Sequence, residues 1–203
     1  MRTRPPLPRF PALPRLPALA TLSALTLLLA PTLLLTGCGG SSPDGPKATL
    51  QADLSRTDAQ LSWRWTLRND DTVPIVILDG PVDGTTDLPQ VWIVPGEDGT
   101  VEVAYRFLAP PDGVDVARPV LQAGHTLAPG ASTSGTAQVT LPLTVRHPYA
   151  SAFTPPLTLP TGDADVQFCI GVVRADDVKP QPGGSYAHVE SAAKKQRLIC
   201  ADG

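Results

Sequence analysis

The sequence predicts an all-β fold: a single antiparallel β-sandwich domain. Apolar and polar residues alternate with a period of two in most segments after residue 47, as expected of strands with one buried face. The chain also contains 24 prolines, and proline is poorly tolerated inside helices but common in turns and at sheet edges. Short strands separated by turns fit a sandwich better than a helical bundle or a parallel α/β sheet.

The clearest predicted strand is 60–67, where Trp63 and Trp65 fall on the inward face. A hairpin follows from 90–94 and 100–107, with Val101 and Phe107 at the two ends of one face. Residues 142–160 contain five prolines and are predicted to be irregular, and 186–195 is predicted to include one short helix. The complete set of predicted strands is 48–54, 60–67, 73–78, 90–94, 100–107, 119–122, 132–141, 166–174 and 196–201.

The N-terminal residues have the features of a secretory leader. Four arginines and no acidic residue accompany an uncharged apolar run from about Pro17, which ends in Leu35-Thr36-Gly37-Cys38. These four residues resemble the lipobox of bacterial lipoproteins. The resemblance implies that the leader is cleaved before Cys38, that Cys38 carries a diacylglycerol thioether, and that the protein lies outside the cytoplasm at a membrane surface. The alternative is a retained membrane-spanning helix, although Pro17 and Pro31 interrupt the run.

This resemblance divides the chain into a leader (1–37), a lipidated cysteine with a flexible linker (38–46) and a sandwich domain (47–203). Gly39, rather than aspartate, follows the cysteine, which favours the outer membrane in bacteria with two membranes. In bacteria with one membrane, the protein would lie on its outer face. Loss of the leader arginines changes the net charge from −3 to −7. An acidic chain argues against a nucleic-acid partner and leaves membrane attachment to the lipid.

Lipidation of Cys38 leaves two further cysteines, Cys169 and Cys200. An even pair in an oxidising compartment indicates a disulfide rather than two free thiols. A zinc site would need more ligands than these two residues supply, and no Cys-x-x-Cys redox motif is present. We therefore expect a Cys169–Cys200 bridge between two strand-like segments.

Two short segments resemble parts of a known family of domains. The run from Leu67 to Val76 resembles the strand–Asn turn–Pro–strand unit of bacterial immunoglobulin-like domains, and the turn at 127–130 with its polar strand is similar to the same domains. The resemblance implies an immunoglobulin-like sandwich. The cysteines depart from the antibody pattern, because Cys169 and Cys200 would lie on neighbouring strands of one sheet. Fold analogy alone assigns no function.

No motif in the sequence indicates catalysis, a cofactor or a metal site. His125, His147 and His188 are far apart in loop-like settings, and no Gly-x-Ser-x-Gly elbow is present. The aspartates of residues 79–87 do not have the spacing of an EF-hand loop, so we interpret the segment as an Asp/Gly turn. No phosphate-binding glycine loop follows a strand. We expect no enzymatic activity, no cofactor and no metal.

A recognition surface is predicted instead, in the long irregular segment 142–160 and at one tryptophan. Long loops in small domains are often functional, and Trp92 has the opposite parity to its apolar neighbours, which predicts an exposed side chain. The candidate residues are Trp92, Arg146, His147, Tyr149 and Phe153.

The sequence therefore favours a membrane-anchored envelope lipoprotein that acts as a non-catalytic interaction or accessory module for an envelope protein. The alternative is a ligand-binding lipoprotein for a small solute or glycan. A concave aromatic pocket would favour the ligand, and a surface without one would favour a protein partner. An enzyme would require a histidine, a carboxylate and a hydroxyl or metal in one cleft.

Overall fold

Eleven strands and one short helix form within the residues that the structure describes. The structure is a computed structural model, and it describes residues 45–84 and 90–201, which lie in the unit Gly40–Gly203. The predicted leader 1–37, Cys38 and the linker up to residue 44 lie outside the described residues. The elements are β1 (Ala48–Arg56), β2 (Gln60–Asn69), β3 (Ile75–Ile77), β4 (Trp92–Pro95), β5 (Val101–Tyr105), β6 (Leu121–Ala123), β7 (His125–Leu127), β8 (Ser132–Thr140), β9 (Val166–Arg174), β10 (Ser185–Ala187), α1 (Glu190–Lys195) and β11 (Arg197–Ala201).

Two sheets pack face to face, which confirms the predicted all-β sandwich. The first sheet is antiparallel, with β2 between β1 and β8. The second has the order β4-β5-β9-β3-β7, and β11 also pairs with β9. Their inner faces meet in one apolar core, where Trp63 stacks on Phe168 at 5.6 Å and Trp65 contacts the edge of Tyr105. Both tryptophans point inward, as predicted from the alternation of β2.

The second sheet is buried on its outer face as well. In β9, Phe168 and Ile170 face the sandwich core, whereas Val173 belongs to a separate cluster with Phe107 and Tyr186. Strand β10, which pairs with β6, and helix α1 supply part of this third layer. A strand with two buried faces needs apolar residues on both. This explains why β9 lacks the alternation seen in β2.

Two details differ from the sequence prediction. Strands β5 and β9 pair in parallel, whereas the sequence predicts an antiparallel fold. Phe107 lies beyond the end of β5 and leaves the face shared by Val101, Val103 and Tyr105 for the outer cluster. In each case, contacts between distant segments decide the outcome.

The remaining predicted segments agree with the structure at this level of detail. Residues 142–160 are irregular apart from an isolated bridge at Arg146 and one short 3₁₀ turn at Ala150–Ala152. The predicted helical segment 186–195 contains α1, although its first residues belong to β10. Within the described ranges, no helix is both long enough and apolar enough to cross a membrane.

A disulfide joins Cys169 and Cys200, as predicted. The two residues are directly opposite each other on the antiparallel neighbours β9 and β11. Cys169 is fully buried, whereas Cys200 is exposed. The bridge therefore fastens the last strand of the fold to the centre of the second sheet.

We expect loss of this bridge to destabilise the fold. The cysteines are separated by 31 residues, and closing a loop of that size in the unfolded chain is worth roughly 3–4 kcal/mol in the chain-entropy model. The double variant Cys169→Ala/Cys200→Ala should lose about this much free energy of unfolding in urea denaturation under non-reducing conditions. An unchanged denaturation midpoint would contradict a stabilising role for the bridge.

A glycine in β8 provides a test of the core packing. A Cβ on Gly135 would lie 2.7 Å from Cζ2 of Trp65, its buried partner on β2. Alanine normally stabilises a strand relative to glycine, but this contact should reverse the sign. We expect Gly135→Ala to lower the free energy of unfolding by roughly 1–3 kcal/mol. The exposed neighbour Ser134→Ala is the control, and a Gly135→Ala protein as stable as wild type would refute the close packing.

Candidate functional site

Trp92 is buried, so the prediction that it is exposed is wrong. Its side chain lies on the outer face of β4. There it packs in a buried cluster with Val82, Val94 and Leu108. The indole Nε1 donates a hydrogen bond to Oε1 of Gln122 at 2.9 Å. Opposite parity within a strand indicates exposure only when the second face meets solvent, and here it does not.

Gln122 is the centre of this buried polar network. Its side chain is fully buried, and its amide nitrogen donates its two N–H groups among three carbonyl oxygens, those of Leu78, Gly80 and Gln90, at 2.9–3.1 Å. Its Oε1 also accepts a second hydrogen bond, from His188 Nε2 at 3.1 Å. The side chain therefore joins the strand ends of the second sheet to the layer that covers them.

His188 has a structural position rather than a catalytic one. Its Nδ1 accepts a hydrogen bond from the backbone N–H of Leu108 at 3.1 Å, so Nε2 carries the proton that is donated to Gln122. Burial, aided by the nearby His147, lowers the pKa of His188 to about 3. A neutral ring with both nitrogens engaged is not available as a general base.

The predicted recognition segment is fastened to the fold by its own side chains. The hydroxyl of the buried Tyr149 donates to the carbonyl oxygen of His188 and accepts from the N–H of Val120. Arg146 and Ile93 exchange two backbone hydrogen bonds, at 2.8 and 2.9 Å. The segment therefore lies as a strap across β4. Of the five predicted recognition residues, Trp92 and Tyr149 are buried.

The other three candidates are only partly buried. His147 accepts a hydrogen bond from the N–H of Tyr149 and meets the ring of Phe153 edge-on at 4.8 Å. Burial, together with the charge of Arg106, lowers the pKa of His147 to about 4. Arg146, His147 and Phe153 keep some exposure, so they are the predicted recognition residues that a partner could reach.

The remaining sequence candidates are His125 and the aspartate-rich turn. Among the described residues, no group of three or more His, Cys, Asp or Glu side chains could hold an ion. His125 does pair with Asp79 at 3.0 Å. The aspartate-rich turn is described only in part, because residues 85–89 lie outside the described ranges.

A groove that sequence analysis did not predict lies at the end of the sandwich where β1 ends and β2 begins. Its volume is about 720 Å³. Aliphatic side chains that range from buried to exposed form part of its lining, and polar or charged residues form the rest. The aliphatic residues are Leu54, Leu61, Val101, Leu141, Leu143, Leu159 and Val166, and the charged residues are Arg56, Asp163 and Asp165.

Leu54 stands out within this groove. Its side chain is 40% exposed, and among the described residues only Val114, at 38%, is another exposed large apolar residue. The alternation of β1 is lost after Asp53, where both faces become exposed. Soluble domains rarely expose large contiguous apolar patches. Apolar side chains that line a concave site therefore indicate a candidate binding site.

A sequence signal for the groove exists, but it is weak. Leu141 and Leu143 begin the proline-rich segment and Leu159 ends it, and all three line the groove. Leucines at the borders of an irregular segment indicate that the borders return to the core. The sequence gives no reason why these three should meet Leu54, which is far away along the chain.

No protein-family model and no curated protein matches this chain. The features of this chain that bear on its function are therefore the groove, the buried network and the sequence of the N-terminal segment.

The buried His188 and the half-buried His147 should make the fold acid-sensitive. Below about pH 6.5, the ordinary pKa of histidine, the unfolded chain binds more protons than the folded chain. The unfolded chain can protonate His188, whereas the folded chain keeps this ring neutral until about pH 3. Between about pH 6.5 and pH 3, each fall of one pH unit should lower the free energy of unfolding by up to about 1.4 kcal/mol through His188. His147 should contribute in the same direction down to about pH 4.

Denaturation at several pH values, combined with NMR titration of the imidazoles, would check this prediction. We expect the His188 ring of the folded protein to remain neutral at pH 4.5, where its contribution to the loss has reached roughly 3 kcal/mol relative to pH 7. If the His188 resonances of the folded protein titrated near pH 6.5, the ring would not be buried as described.

Proposed function

We propose that the protein is a lipid-anchored, non-catalytic binding module of the bacterial cell envelope, and that it binds a protein partner through the groove at Leu54. The observation that carries the proposal is a groove at one end of a well-packed domain, in which aliphatic side chains lie beside charged ones. The lipobox-like Leu35-Thr36-Gly37-Cys38 supports the address and the anchor. The structural roles of His147 and His188 support a binding rather than a catalytic function.

The position of the groove suits an anchored module. The described chain enters the sandwich at Pro46 and Ala48, next to Asn69, whereas Leu54 and Arg56 lie at the opposite end of β1. With a rise of about 3.3 Å per residue, β1 separates these two ends by about 26 Å. An anchor at Cys38 would therefore attach to one end of the domain and leave the groove at the other.

The lining favours a protein partner over a glycan. Glycan sites commonly use exposed aromatic rings as platforms, whereas the groove is lined by leucine and valine, and Trp63, Trp65 and Trp92 are all buried. A small apolar solute remains the second candidate, because about 720 Å³ is within the usual range of ligand pockets.

Photo-crosslinking in intact cells tests both parts of the proposal. A photoreactive amino acid substituted at Leu54 should crosslink reproducibly to one envelope protein. The same amino acid at Val114, which is equally exposed but does not line the groove, is the matched control. Cys38→Ser should move the protein from the membrane fraction to the soluble fraction.

Two results would overturn the proposal. Identical crosslinks from positions 54 and 114, or none from position 54, would exclude the groove as the docking surface. Retention of the Cys38→Ser protein in membranes would exclude the lipid anchor and indicate that the leader itself remains as an anchor.

A further inference from the structure

The rim of the groove carries more negative than positive charge. Asp163 and Asp165 are exposed and lie on the segment that leads into β9, whereas Arg56 is the one cation among the described residues that line the groove. Aliphatic side chains, from the exposed Leu54 to the buried Leu61, lie beside these charges in the same groove. Such a site offers an apolar surface for side chains and, at its edge, two carboxylates that attract a cation.

We infer that the groove binds an extended, aliphatic peptide segment of a partner protein that carries a lysine or arginine beside its apolar residues. This inference rests on the proposed function of the groove as a docking surface. Aliphatic side chains of the segment would cover Leu54 and the leucines that border the proline-rich strap. The basic residue would lie at Asp163 and Asp165.

The charges also distinguish this occupant from a lipid. The phosphate groups of bacterial envelope lipids are anionic, and two rim carboxylates would repel them. The domain carries the same bias, since the chain without its first 37 residues has a net charge of −7. A segment that combines apolar and basic residues complements both the aliphatic side chains and the two carboxylates of the groove.

Peptide binding to the full chain in lipid nanodiscs tests the inference. The probe is a short fluorescent peptide of alternating leucine and valine flanked by lysines, followed by fluorescence anisotropy. One comparison peptide has glutamates in place of the lysines, and another has serines in place of the leucines. We expect the lysine-flanked peptide to bind at least tenfold more tightly than either comparison peptide.

Variants locate the binding. Leu54→Asp should weaken binding of the lysine-flanked peptide about tenfold or more, because a buried apolar contact is lost. Val114→Asp, at the matched exposed position, should leave binding unchanged. Asp163→Asn/Asp165→Asn should remove the preference for lysine over glutamate, and added salt should weaken wild-type binding. All substituted side chains are exposed, so the fold should tolerate them.

The inference would be overturned by no binding of the lysine-flanked peptide, by equal binding of the glutamate-flanked peptide, or by binding that Leu54→Asp leaves unaffected. Displacement of the peptide when fatty acid is added at low concentration would point to an acyl chain as the occupant and would also overturn it. The crosslinks at position 54 remain an independent test of the groove itself. Their persistence alongside failed peptide binding would reject the partner chemistry alone.

Discussion

The fold depends on burial of both faces of β9 away from solvent. This strand pairs with β5, with β3 and with β11, and it carries the buried half of the disulfide. Its inner face needs the first sheet, and its outer face needs the third layer built from β10, α1 and the segments around them. Backbone polar groups at the strand ends that this layer covers must find partners. Gln122 and His188 provide them, which is why two polar side chains lie fully buried beneath it.

The sequence predicts the fold well where a strand has one buried face and one solvent-exposed face. The alternation of β2 predicted the inward tryptophans, and the cysteine pair predicted the bridge between neighbouring strands. The prediction failed at Trp92 because parity within a strand does not say whether the second face is covered. The parallel pairing of β5 with β9 joins distant segments, and no local pattern encodes it.

The site was less predictable than the fold. The length and prolines of the segment 142–160 predict a recognition loop, and the structure adds that the hydroxyl of Tyr149 and the backbone of Arg146 fasten it to the domain. Its bordering leucines instead help to form the groove. His188 and Gln122 belong to no motif, and their meeting is a consequence of tertiary packing. A groove made from separate strand ends becomes visible only when the chain has been folded.

The register of β1 on β2 has a mechanical consequence. The chain enters at Ala48, and the groove begins at Leu54, so a pull between an attached N-terminal segment and an occupant of the groove acts along the axis of β1. The hydrogen bonds of an antiparallel pair run perpendicular to that axis. Such a load stretches these bonds together, in shear, rather than opening them one after another. Under the proposed anchoring at Cys38, the domain would therefore resist tension between its anchor and an occupant of the groove.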